Sequence, residues 1–152
     1  MSFSMEKVIA LNTPIRDNDR KGISSPAQRV NFDAFGAKEI RDVLKSKAHC
    51  LRAGFPSNHA IIATLNEIRD HYILRVGLPT YLSQMLGDLG TVQAQYCKLY
   101  SEDGRQVVLQ SDEFHDQPVQ KFIIKNFRSN NLPFRVEARK ELNSERVEVR
   151  YL

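Results

Sequence analysis

The side chains with chemistry to offer fall in three places along the sequence. The densest is Ser111-Asp112-Glu113-Phe114-His115-Asp116, where carboxylates and an imidazole stand side by side. Such a set can ligate a metal or supply a general base. It also sits where a strand gives way to a helix, the usual place for Ser and Asp as caps, and Asp112, His115 and Asp116 are read as cap residues. The second set is cationic: Arg16, Arg20 and Lys21, interrupted by Asp17 and Asp19. The third is Arg135, Arg139, Arg146 and Arg150, with Glu137 and Glu148 between them. Guanidinium groups in rows suit phosphate or an acidic partner, while rows of alternating sign also serve as solvated cross-strand pairs.

The remaining reactive residues do not converge. His59 and His71 are separated by twelve positions on one helix, about 120° apart around its axis. His49 and Cys50 are neighbours on a helix and do not share a face. The sequence has no Cys-x-x-Cys, no His-Glu-x-x-His and no Gly-rich phosphate loop. The reading is therefore a non-enzymatic protein without metal or cofactor.

Charge points the same way. The chain has 152 residues and a net charge of +4, with a pI near 9.2. Residues 1–53 hold ten Lys and Arg against six Asp and Glu. Residues 54–112 hold four against six, and residues 113–152 hold eight against six. The two ends are basic and the middle is slightly acidic, so an anion-facing surface belongs to the ends. Hydrophobic residues make up 41% and charged residues 26%, which is globular rather than disordered. No run approaches the ~18 apolar residues of a membrane span, and no signal peptide opens the chain. The expected location is cytoplasmic, with Cys50 and Cys97 reduced and packed as small hydrophobes.

The elements that would position these groups follow from periodicity. Val8, Ile9 and Leu11 suggest a short strand within 6–11. A polar stretch over 12–36, rich in Pro, Asp, Asn and Ser, reads as a solvated linker, against the sharper readings of an arm that touches phosphate or orders on a partner chain. A helix over 37–53 places Ile40, Val43, Leu44 and Leu51 on one face, with Gly54 just past its end. Ser57 is the expected cap of a long helix whose stripe is Ile61, Leu65, Ile68, Tyr72 and Val76. After Gly77-Leu78-Pro79, a shorter helix carries Leu82, Met85, Leu86 and Leu89.

From Thr91 the period becomes two. Strands are expected around Val92–Cys97 and Arg105–Gln110, joined at Ser101-Glu102-Asp103-Gly104. Asp116-Gln117-Pro118 should open another helix with Val119, Phe122, Ile123 and Phe127 buried, ended by Asn130-Asn131. Phe134, Val136 and Ala138, then Val147, Val149 and Tyr151 around Asn143-Ser144, give a second hairpin. Its simplest version has those apolar residues on one face and Arg135, Arg139, Arg146 and Arg150 together on the other, with no aromatic ring among the arginines.

The fold class is α+β: a flexible arm over 1–36, three helices over 37–90 and a ββαββ block with antiparallel hairpins over 91–152, read together as one compact domain. Three helices followed by a hairpin resemble the layout of a winged helix-turn-helix. That resemblance covers about a third of the chain and implies that Thr80, Ser83 and Gln84 face a DNA groove. The same helix carries no Lys or Arg, and the wing tip carries Glu102 and Asp103, a weak head for phosphate.

The functional expectation is a small nucleic-acid-binding protein, a regulator or accessory subunit of a nucleoprotein complex. Its anion contacts would come from Arg16, Arg20, Lys21, Arg135, Arg139, Arg146 and Arg150. The alternative is a protein–protein adaptor or structural subunit without nucleic-acid contact. Unpaired edges at the terminal strands would permit a homodimer.

Overall fold

The structure is a computed structural model that describes residues 30–94, 96–103, 106–110, 117–126, 132–139 and 146–152. It is α+β, with antiparallel strands following a helical N-terminal part. The chain divides into two compact units, Met1–Val76 and Gly77–Leu152. Among the described residues no helix is long and apolar enough to cross a membrane. The expected strand over 6–11, the basic residues Arg16, Arg20 and Lys21, the Asp112–His115–Asp116 cluster, Gly104, Phe127, Asn130-Asn131 and Asn143-Ser144 lie outside the described residues.

In the first unit, α1 spans Ala37–Arg52 and α2 spans Ala60–Val76. The Glu39 Oε1 carboxylate oxygen accepts the Gly36 N–H at 2.8 Å, satisfying one orphan donor at the start of α1. At its other end the Phe55 N–H donates to Cys50 O and the Gly54 N–H to Leu51 O. This pair of bonds is a Schellman motif, and it places Gly54 at φ +99°, where a side chain is strained. Helix α2 buries Leu65, Ile68 and Tyr72, as the spacing predicts, but its first buried residue is Ile62 rather than Ile61. The helix also begins later than Ser57. His59 Nδ1 accepts the Ile61 N–H at 3.0 Å, so an imidazole does the work expected of a hydroxyl.

The end of the supposed arm is not an arm. A 3-10 turn over Phe32–Ala34 leads into Phe35, which is fully buried. An aromatic ring in the core offsets the chain entropy lost on ordering this polar stretch.

In the second unit, α3 spans Leu78–Leu86 and a 3-10 helix follows over Gly87–Thr91. Pro79 sits in the first turn of α3, where a missing N–H costs nothing. Tyr81, Leu82, Leu86 and Leu89 are buried. The strands are β1 (Gln93–Ala94), β2 (Tyr96–Tyr100), β3 (Gln106–Gln110), β4 (Gln117–Pro118), β5 (Arg135–Arg139) and β6 (Arg146–Tyr151), with α4 over Val119–Asn126 between β4 and β5. The main sheet runs β3-β2-β5-β6, all antiparallel, and β1 pairs separately with β4.

Gln117 and Pro118 were expected to open a helix. They pair instead with Ala94 and Gln93, and the Val119 N–H donates to Val92 O at 3.0 Å, so α4 starts one residue after the ladder. Helix α4 buries Val119, Phe122 and Ile123 and packs on β2 and on α3. Gln120 ties the two helices, donating to Pro79 O at 3.1 Å and accepting from the Ser83 hydroxyl at 3.2 Å.

Candidate nucleic-acid interface

The four arginines of the terminal hairpin do not share a face. Residues directly opposite across a ladder stand on the same side of the sheet. Arg135 pairs with Tyr151, while Arg150 pairs with Val136. Val136, Ala138 and Cys97 are all fully buried, so Arg150 lies on the core face of the sheet, at its edge and half exposed. Arg139 pairs with Arg146 only after a register shift between Ala138 and Arg139.

The physical cause is the last residue. Leu152 is buried, its N–H donates to Phe134 O at 2.6 Å, and its carbonyl accepts the buried Tyr81 hydroxyl at 3.1 Å. Pairing Leu152 with Phe134 fixes the ladder one residue away from the simplest alternation, and a one-residue slip exchanges faces.

The same register brings together groups that the sequence pattern kept apart. On the face opposite the core, Tyr100, Arg135 and Tyr151 form one row across β2, β5 and β6. The Arg135 guanidinium lies 4.0 Å from the centre of the Tyr100 ring, a cation–π contact. The Tyr151 ring meets Phe134 edge-on, with centroids 5.2 Å apart, and remains 37% exposed.

One step along the strands Lys98 pairs with Glu137, and one further step brings Arg139 opposite Tyr96. Glu137 is only 7% exposed, and its Oε2 accepts the Tyr100 hydroxyl at 3.4 Å. A carboxylate held at the centre of the face steadies the Tyr100 ring and, with it, Arg135. Among the described side chains, three cations, Lys98, Arg135 and Arg139, stand on this face with one acid, and each cation is half exposed. An aromatic ring does stand among the arginines here, contrary to the expectation from alternation.

Helix α3 is a poor groove reader. It packs against α4 and the following 3-10 helix, with Thr80 exposed. Of its three polar candidates, Ser83 is already bonded to Gln120, and Gln84 is half buried and partnered.

A second polar cluster lies in the first unit. Asp33 accepts from His71 Nε2 at 2.9 Å, and Arg75 Nη1 donates to the Asp33 carbonyl at 2.9 Å. Arg75 Nη2 donates to Phe35 O, and the guanidinium stands 5.3 Å from the Tyr72 ring. The Phe32 and His71 rings are 5.3 Å apart. The hydrogen bond from His71 holds the Asp33 carboxyl below its usual range, with the His71 and Arg75 charges adding to it. This cluster fastens the 3-10 turn to α2. It has an acid and an imidazole, and among the described residues no hydroxyl or thiol is bonded to either.

No protein-family model, curated protein or solved structure matches this chain.

Both cysteines are free and buried. Burial pushes the Cys97 thiol up to about 12 and raises Cys50 as well, which makes both poor nucleophiles and poor metal ligands. Among the described residues no group of three His, Cys, Asp or Glu is placed to hold a metal. The sequence reading missed Lys98, Tyr100 and Tyr151 as partners of the arginines. The signal was present in the alternation of β2, but it needed the register to be read.

Proposed function

We infer that this chain is a small non-enzymatic nucleic-acid-binding protein, a regulator or accessory subunit, and that the open face of its four-stranded sheet reads the phosphate backbone. The observation that carries this is the Arg135 guanidinium stacked 4.0 Å over Tyr100 on the face shared by Lys98 and Arg139. A cation held by stacking loses little further entropy when it takes up a phosphate. Arg16, Arg20 and Lys21 extend this reading as contacts of a basic arm. Two buried free thiols suit a reducing compartment, the cytoplasm.

The test is binding of a labelled oligonucleotide across a salt series, for the native chain and for Arg135→Glu/Arg139→Glu. Affinity that falls linearly with salt on a log–log plot, and collapses in the double variant, supports the reading. Equal affinity in the double variant removes the sheet face from it.

A second reading, a protein–protein adaptor, is favoured by one observation. Leu74, near the end of α2, is 85% exposed. Leu74→Lys would abolish capture of a protein partner under that reading and leave nucleic-acid affinity unchanged.

A further inference from the structure

We propose that the sheet face selects single-stranded nucleic acid, taking bases on the row Tyr100–Arg135–Tyr151 and the backbone on Lys98 and Arg139. This rests on the nucleic-acid reading above and adds which form of nucleic acid the face accepts.

The row is continuous. Tyr100 pairs with Arg135, and Arg135 pairs with Tyr151, so three planar groups stand side by side at strand spacings of about 4.8 Å. Arg135 stands over the Tyr100 ring, so the surfaces the row leaves to a base are the Arg135 guanidinium and the exposed Tyr151 ring. Tyr151 is exposed, and its ring is oriented by the edge-on contact with Phe134. Tyr100 is oriented twice, by Arg135 above its face and by Glu137 at its hydroxyl.

Beyond Arg135, which belongs to the row itself, two further cations lie to one side of it. Lys98 is one pleat repeat along β2 from Tyr100, and Arg139 is two repeats along β5 from Arg135, or about 7 and 13–14 Å away. A strand crossing the face can therefore stack its bases at one end and run its phosphates over the cations. A duplex cannot use the row, because its bases already stack on one another and show only their edges. Nor does a four-stranded sheet enter a groove as a helix or two-stranded ribbon does. Stacking is tolerant of base identity because every base has a π-face, so the predicted binding is weakly sequence-dependent.

The experiment measures anisotropy of labelled single-stranded RNA, single-stranded DNA and a DNA duplex of matched length, with the full chain and with Tyr151→Ala, Tyr151→Phe and Arg139→Gln. The proposal expects both single strands to bind about ten-fold or more tighter than the duplex, and Tyr151→Ala to lose about ten-fold on single strands. Tyr151→Phe keeps the affinity, since the ring and not the hydroxyl is used. Tyr151→Ala leaves the salt slope unchanged, whereas Arg139→Gln lowers it by about one.

Duplex bound as tightly as single strands, with Tyr151→Ala neutral and Arg139→Gln still shallower, overturns the stacking inference and leaves the phosphate-reading face standing. No binding of any probe at low salt overturns both. A difference between RNA and DNA arms says which strand is preferred and leaves the selection of single strands intact.

Discussion

Two arginines, each beside a tyrosine, do opposite things in this molecule. Arg75 in the first unit spends its donors on main-chain carbonyls, those of Asp33 and Phe35, and on the Asp33 carboxylate 3.7 Å away. The Arg135 guanidinium in the second unit stands over Tyr100, 4.0 Å from the ring centre, in a row of planar groups with cations beyond it. Composition does not separate the two, since both sites hold arginine, aromatic and acid. What separates them is where the guanidinium donors go. Donors committed to carbonyls make a clamp, whereas a guanidinium held against an aromatic ring can still offer N–H groups to a ligand.

The comparison breaks most visibly through Phe35. The clamp exists to seat that ring, which is fully buried. Phe35→Ala should cost about 3–5 kcal/mol of stability. Chemical denaturation of the full chain measures it, and the sheet face should keep its salt slope under conditions where the variant stays folded. A cost below about 1 kcal/mol would mean that the 30–36 segment contributes little packing.

The two arginines should then separate in a crossed measurement. Arg75→Ala removes two charge-assisted bonds to carbonyls at a half-exposed site. It should lower stability by about 1–2 kcal/mol and leave oligonucleotide affinity unchanged. Arg135→Ala removes an exposed cation–π contact, worth about 0.5–1 kcal/mol of stability, and should weaken binding several-fold. Both variants acting alike on the same readout would erase the distinction between clamp and binding row.

Tyr81 gives a smaller effect that sharpens the account of the sheet. Its hydroxyl holds the carbonyl of Leu152, whose pairing with Phe134 sets the register. Tyr81→Phe leaves that buried carbonyl short of a donor and should cost about 1–2 kcal/mol. If the register depends on it, affinity for single strands falls together with stability.

How much of this was legible in the sequence depends on the range of the interaction concerned. The helices could be read, because Leu65, Ile68 and Tyr72 repeat at the helical period within one stretch. Their ends were read less well. His59 takes the cap that Ser57 was expected to supply, and the stripe starts at Ile62 rather than Ile61. The strands and their antiparallel hairpins were legible by alternation. The faces were not, since alternation fixes each strand internally but leaves a choice of parity between neighbours. That parity is decided by Leu152 finding Phe134 and Tyr81. For the same reason Asp33, His71 and Arg75 gave no signal in the sequence, because their meeting depends on the chain folding back by some forty residues.

The smallest predicted effect tests whether the clamp is electrostatic at all. The Asp33 carboxyl is held below its ordinary value of 3.8, chiefly by the hydrogen bond from His71. A group whose folded value is depressed binds its proton more readily in the unfolded chain. Its stabilising contribution is therefore complete above the ordinary value and fades as pH falls through the lowered one. Asp33→Asn should consequently be less stable than the native chain near neutral pH, and the gap should close as the solution is taken below pH 3.8. Denaturation midpoints of the two chains, compared at neutral and acid pH, measure that gap. Asp33 is largely exposed, so the difference will be small and further reduced by salt. No gap at either pH would show that Asp33 serves through its backbone carbonyl alone, the group Arg75 reaches directly. The clamp would then be a set of main-chain bonds, in sharper contrast to the charged row on the sheet.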